Sequence, residues 1–250
     1  MVAAARQAGL KTAPKVPEGE RVYAVGDIHG CLPQLKKLME MVVADAAKHA
    51  SKKPVLVFLG DYIDRGMHSA GVIDYLLSDL PEGMARHFLR GNHEDMILRF
   101  VKGDMATAAV WLQYGGQATL LSYGSTPPTV ITPEYIGGLR ELLLGIIPPE
   151  HLKFFADAKL YLTRGDYCFV HAGIRPNVAL DNQTNEDFLW IRKEFLASQA
   201  DHAKMIVHGH SISTEPEIHH NRIGIDTGAY ATGRLTCLVL QGETQNIIHT

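Results

Sequence analysis

The sequence predicts an α/β protein organised around parallel strands, on three observations. Short apolar runs alternate with helix-periodic segments through the N-terminal part of the chain, so the pattern switches repeatedly between strand and helix. Asp27, Asp61 and Asn92, which close three of these runs, lie 34 and 31 residues apart, each the length of one βαβ unit. Right-handed crossovers then make the three strands parallel and bring their carboxyl ends to one edge, where open α/β sheets bind ligands.

Taken in order, a polar arm with Pro14 and Pro17 comes first, and residues 1–20 are expected to be flexible. Arg21 to Asp27 reads as a short buried strand. Leu35, Leu38, Met39, Val42 and Val43 recur at three-to-four spacing, which predicts an amphipathic helix from Leu32 to Ala50. Pro54 to Gly60 is a continuous apolar run, as in a strand covered on both faces. A helix near Ser69 to Leu80, a strand near Ala85 to Arg90 and a helix starting at Glu94 complete a β-α-β-α-β order. Residues from about 104 to 158 look mostly helical, with breaks at Gly115-Gly116, Gly124 to Pro128 and Pro148-Pro149. They read as a helical cap inserted in a single domain spanning 21–250. Strands return at Lys159 to Leu162 and Asp166 to Val170, joined as a hairpin through Arg164-Gly165. A helix near Asn185 to Ser198, a buried strand at Lys204 to Val207 and short strands beyond Glu217 follow.

Composition narrows the function classes. With 46% apolar and 20% charged residues, the 250-residue chain is neither disordered nor fibrous. Its net charge of −3 lacks the basic excess of a nucleic-acid binder. No apolar run approaches the roughly 18 residues of a spanning helix, and Met1 to Leu10 lacks the apolar core of a secretory signal. A cytoplasmic protein with no nucleic-acid or membrane partner is therefore expected. Cys31, Cys168 and Cys237 have no paired or metal-ligand spacing and read as buried thiols. The 13 histidines matter more, because imidazole is the commonest metal ligand and the usual acid or base near neutral pH.

Five segments place Asp, Asn or His beside glycine where strands end: Gly26 to Gly30, Gly60 to Gly66, Arg90 to Glu94, His171 to Gly173 and His208 to His210. Glycine there permits tight turns and close backbone approach to a ligand. On extended backbone Asp27 and His29 point to one face and can bind a single cation. Asp61 offers two oxygens that can bridge two cations, and Asn92, His171 and His210 can fill a second site. Any one segment alone is ordinary turn chemistry. Together, with mixed oxygen and nitrogen donors, they suit a catalytic metal site of open coordination. His208 reads as an outer group sharing the face of His210, Glu94 as a carboxylate favoured at a helix N-terminus, and Trp111 to Gly116 as cap packing with a part in substrate entry.

The signatures Gly-Asp-x-His-Gly (26–30), Gly-Asp-Tyr-Ile-Asp-Arg-Gly (60–66) and Arg-Gly-Asn-His-Glu (90–94) resemble those of the phosphoprotein phosphatase family of calcineurin-like metallophosphoesterases. Their order and spacing are most similar to its bacterial and bacteriophage lambda-type branch, over about Val22 to Gly228. The resemblance implies two mixed β-sheets packed as a sandwich, flanked by helices, with two divalent metals at the sheet edge. Likeness to bacterial relatives makes these Mn2+, with Fe or Zn as the other options. It assigns Asp27, His29 and the bridging Asp61 to one metal, and Asp61, Asn92, His171 and His210 to the other. His93 matches the leaving-group acid and Asp64 its orienting carboxylate, while Arg65, Arg192 and Asn92 match phosphate-binding positions. Met67-His68 stands where the branch more often resembles Pro-Asp, a departure that touches the loop and not the ligands.

Physical chemistry supports such roles. Two dications and two aspartates leave a positive pocket for a phosphate dianion. A hydroxide shared by the cations attacks phosphorus in line, arginine forks neutralise the non-bridging oxygens, and an Asp-held imidazole protonates the departing oxygen. The expected protein is thus a monomeric, metal-dependent phosphatase of phosphoserine or phosphothreonine, or of phosphotyrosine, in proteins or peptides. Two alternatives remain. Symmetrical dinucleoside tetraphosphate hydrolases look similar over the first three motifs but usually lack an intact 60–66 motif. A non-catalytic metal-binding scaffold is opposed by the presence of His93 and all six ligand positions.

Overall fold

The computed structural model describes residues 13–250. In chain order its elements are β1 (Glu20–Val25), α1 (Leu32–Lys48), β2 (Lys53–Phe58), α2 (Ser69–Asp74), β3 (Ala85–Phe88) and α3 (Asn92–Val101). The helices α4 (Ala106–Trp111), α5 (Gln117–Ser122), α6 (Pro133–Ile146) and α7 (Pro149–Asp157) come next, then β4 (Tyr161–Arg164), β5 (Tyr167–Val170), α8 (Asn185–Trp190) and α9 (Lys193–Leu196). The chain closes with β6 (Met205–His208), β7 (Glu217–Ile218), β8 (Arg222–Gly224), α10 (Ala229–Thr232), β9 (Thr236–Gln241) and β10 (Thr244–His249). Single π-helical turns extend α2 over Tyr75–Asp79 and join α4 to α5 over Leu112–Gly116.

The strands make two mixed five-stranded sheets, ordered β10-β9-β1-β2-β3 and β4-β5-β6-β8-β7. β1, β2 and β3 are parallel, as their spacing requires, while β9 and β10 run antiparallel beside them. In the second sheet β5, β6 and β8 are parallel between antiparallel edges. The expected α/β sandwich is therefore present.

Period-two alternation explains the layering. One face of the first sheet (Tyr23, Val25, Leu56, Phe58) packs with Leu35, Leu38 and Val42 of α1 and with the apolar sides of α3 and α6. Its other face (Val22, Ala24, Val55, Val57) meets Tyr167, Phe169, Val207 and Ile223 of the second sheet. Cys168, Val170 and Ile206 on the far side of the second sheet are covered by Phe188 and Phe195. Both faces of both parallel cores are dry, which is why their strands read as unbroken apolar runs.

The structure corrects several boundaries. α3 begins at Asn92 rather than Glu94, and the hairpin strands begin two and one residues later than expected, turning through Gly165-Asp166. The single helix expected over 185–198 is two, because Ile191 is extended and Arg192 has non-helical angles. Of the arm expected to be flexible, residues 1–12 lie outside the described residues. From Pro14 the chain is tied down: Val16 is buried, the Lys15 amide donates to the Asp166 carboxylate (2.9 Å) and the Asp166 amide to the Lys15 carbonyl (2.7 Å). Cys31, Cys168 and Cys237 are free and buried. Among the described residues no helix is long and apolar enough to cross a membrane.

Candidate active site

The parallel strands deliver the polar segments to one place. Asp27 and His29 follow β1, Asp61, Asp64 and Arg65 follow β2, and Asn92 and His93 open α3 after β3. From the second sheet, His171 follows β5, His210 follows β6 and Asp226 follows β8. The backbone there is strained. His29, Asp61, Asp64, Arg65 and His210 have φ of 45°, 51°, 71°, 66° and 62°, and only Asn177 joins them among the described non-glycine residues. Such conformations cost roughly 1–3 kcal/mol each and persist where surrounding structure enforces them. This overturns the extended Asp27-to-His29 reading, since His29 is turned into the left-handed region. Glycine is required at Gly91 and Gly209, where an added Cβ would land on the carboxylates of Asp61 and Asp27.

Asp61 is the hub. The Nε2 atoms of His29 and His93 lie 3.4 and 3.8 Å from its Oδ2, and that of His171 lies 3.4 Å from its Oδ1. Two groups of buried donors result, His29–Asp61–His93 and Asp61–His171–His210, and Asp61 belongs to both. Asn92 joins the second, its Oδ1 lying 2.9 Å from His171 Nε2. Asp27 stands apart from the first group. One of its oxygens accepts the His210 amide (2.9 Å), and it faces Asp226.

Hydrogen bonds sort the imidazoles into two kinds. His29 Nδ1 faces the Ile63 carbonyl at 2.8 Å and His171 Nδ1 the Leu59 carbonyl at 2.9 Å. A carbonyl partner fixes the neutral tautomer with the Nε2 lone pair turned inward, the arrangement of a metal ligand. His93 Nδ1 instead meets the Asp64 carboxylate at 2.6 Å, a partner that stabilises imidazolium. Asp64 is held in turn by the Trp111 indole N–H (2.8 Å) and the Thr119 hydroxyl (2.5 Å). Charge follows geometry. Burial drives His29 down to about 3 and also lowers His171 and His210. Burial opposes the charge on His93 too, yet Asp61 and Asp64 outweigh it and raise that ring above its ordinary value. Burial beside Asp226 and Asp61 pushes Asp27 well up.

Residues 20–236 match the family described as calcineurin-like phosphoesterase. The chain belongs to that family.

Among curated relatives, the chain is similar to a protein of Bacillus cereus (strain AH820) named bis(5′-nucleosyl)-tetraphosphatase PrpE, asymmetrical. The two are 26% identical over 232 residues, 86% of this chain and 88% of the relative. A Halalkalibacterium halodurans protein of the same name is 28% identical over 233 residues, 86% of this chain and 87% of its own. In fold the chain resembles a solved structure described as a candidate diadenosine tetraphosphatase, with TM-score 0.61, 21% identity and coverage of 92% of this chain and 94% of that one. It also resembles a cold-active protein-tyrosine phosphatase of a psychrophilic Shewanella, with TM-score 0.54, 16% identity and coverage of 96% and 83%.

Calcineurin-like phosphoesterases use divalent metals, and the residues present in this phosphoesterase fit them. Among the described residues Asp27 Oδ1 and His210 Nε2 are buried with no hydrogen-bond partner, and three imidazole nitrogens converge on one carboxylate. A neutral His171 cannot donate to both the Leu59 carbonyl and Asn92 Oδ1, so a cation among Nε2, Asn92 and Asp61 would satisfy them all.

The arginines bracket the site. Arg65 places Nη2 3.4 Å from His93 Nε2, and Arg192 lies at the other end, Nη1 3.5 Å from the Ser211 hydroxyl and close enough to depress His171 and His210. His208 joins neither donor group; its ring packs against Phe195 at 5.1 Å. Sequence reasoning missed four contributors. Trp111 and Thr119 carry no strand-end signature, and Tyr230 lies under the Arg65 guanidinium at 4.8 Å. Asp226 could have been found, since Asp226-Thr-Gly follows an apolar strand as the other segments do. Glu94 exceeds the role expected of it: fully buried, it accepts the amides of Gly91 (2.9 Å), Asp61 (3.0 Å) and Tyr62 (2.8 Å) and so clamps two of the strand-end segments together.

Proposed function

We propose that this phosphoesterase is a metal-dependent dinucleoside tetraphosphate hydrolase of the asymmetrical kind. The observation that carries the substrate class is the agreement in name of curated relatives that align with 86% of the chain. This reading moves away from the phosphoprotein phosphatase expected from the sequence motifs and from the symmetrical form of the alternative. The phosphoprotein reading stays second, favoured by the intact Gly60 to Gly66 motif.

In this reading Asp27, His29, Asp61, Asn92, His171 and His210 hold two divalent ions, Mn2+ by likeness to bacterial enzymes. Bound there, such ions supply Lewis acidity and an activated water for attack on phosphorus. The chain's own groups do the rest. Arg65 and Arg192, at opposite ends of the donor groups, hold the non-bridging phosphate oxygens and fix the phosphorus for in-line displacement. Asn92 orients the same phosphate. His93, with its Nδ1–H on Asp64, presents Nε2 to the departing oxygen and donates a proton there, and Asp64 stabilises the imidazolium before the transfer. Trp111 and Thr119 hold Asp64 so that the ring cannot rotate away.

Initial rates on diadenosine tetraphosphate and on phosphoserine, phosphothreonine and phosphotyrosine peptides, measured side by side with Mn2+, test the reading. Cleavage of the dinucleotide to AMP and ATP in preference to the peptides is expected. Two ADP per dinucleotide would return the symmetrical alternative, and phosphate from peptides with the dinucleotide intact would return the phosphatase.

A further inference from the structure

Among the described residues, Tyr114 and Tyr230 are the two exposed side chains of the tyrosine, phenylalanine and tryptophan kind, and both border the site. They differ in what already occupies them. Tyr230, 40% exposed, has the Arg65 guanidinium over one face at 4.8 Å and sets its ring 5.5 Å from that of His29. Its surface is engaged in holding a phosphate-binding group. Tyr114, 50% exposed, stands edge-on to His93 with ring centroids 6.5 Å apart, and among the described residues no other aromatic ring or cation covers its faces.

An exposed tyrosine is commonplace on a protein surface, but this one is rigidly mounted. It lies in the π-helical turn Leu112–Gly116, and the following residue, Gly115, accepts the Arg65 amide through its carbonyl at 3.2 Å. Gly115 has φ +111°, and an added Cβ would lie 2.7 Å from the Arg65 nitrogen and 2.8 Å from its Cγ. On the other side Trp111, three residues earlier, is buried and bonded to Asp64. Tyr114 is therefore fixed between the residue that positions the acid and the residue that holds phosphate, with an open π-face beside the place where a nucleotide's phosphates would sit.

We propose that Tyr114 is a specificity-determining residue, the platform on which a nucleobase stacks while its phosphate is held at Arg65. The inference deepens the dinucleoside reading and rests on it for the substrate class. Stacking on an aromatic side chain is tolerant of base identity and worth about 5- to 150-fold in affinity per base.

Binding of AMP and of ribose 5-phosphate at fixed Mn2+, measured by calorimetry, isolates the base from the phosphate. The wild type is expected to bind AMP about tenfold tighter. Tyr114→Ala brings the two ligands within about twofold, Tyr114→Phe keeps the preference, and Tyr230→Leu weakens both alike through Arg65. Should the Ala variant fail to fold, Tyr114→Gln removes the ring and keeps a polar surface. A preference that survives Tyr114→Ala or Tyr114→Gln, or its absence in the wild type, would overturn the platform. If the preference vanishes with the ring while diadenosine tetraphosphate is not hydrolysed, the platform stands and the proposed substrate falls.

Discussion

The strand-end floor of the site and the helical wall beside it are built to different rules. On the floor, Asp27, His29, Asp61 and His210 are buried, most have positive φ, and the His29 and His210 side chains converge on Asp61. The wall is the α4–α5 region, ordinary in backbone except at Gly115, where it touches Arg65. It contributes no candidate ligand, but Trp111 and Thr119 reach across to Asp64. The difference separates chemistry from aim: the floor gathers charge and lone pairs, and the wall decides how Asp64, with His93 on it, and Arg65 are held.

Substitutions on the two sides should therefore fail differently. Asp61→Asn removes the carboxylate common to both donor groups, and we expect the rate on any phosphoester to fall by about 10³ or more, with metal content reduced. An active, fully metallated variant would break the comparison on the floor side. His93→Ala should keep metal and lose about 10² or more on alkyl phosphates, with a smaller loss on diadenosine tetraphosphate, whose departing nucleotide is a weak base needing little protonation. Equal slowing of both substrates would remove His93 from the acid role.

Smaller effects sharpen the distinction. Glu94→Gln puts an NH2 against one of the amide pairs the carboxylate accepts, so denaturant titration should show a loss of about 1–3 kcal/mol. Trp111→Phe removes the indole N–H from Asp64 while keeping a ring in the pocket. It should cost about 1 kcal/mol of stability and lower kcat several-fold on alkyl phosphates, with KM unchanged. An unchanged kcat would make the wall mere packing.

The floor was legible in the sequence because each of its segments pairs a strand end with glycine and a polar donor, and the βαβ spacing says which ends meet. The parallel order β1-β2-β3 follows from that alone, while the family resemblance singles out Asp61 as the shared carboxylate. The wall was not legible, because a buried indole reaching Asp64 across 47 positions leaves no periodic or turn signal in either segment. The turned backbone at His29 and the break at Arg192 were missed for a related reason: both are imposed by tertiary contacts against local preference. The likeness to phosphoprotein phosphatases rested on floor motifs, whose residues speak to phosphoester chemistry and make no contact that identifies the rest of a substrate.

Metal content and turnover, measured on the same preparation, test the central claim most directly. The account predicts about two divalent ions per chain by mass spectrometry, hydrolysis of diadenosine tetraphosphate that stops on chelation, and recovery of both on adding Mn2+. An undiminished rate from chain stripped of metal would contradict it.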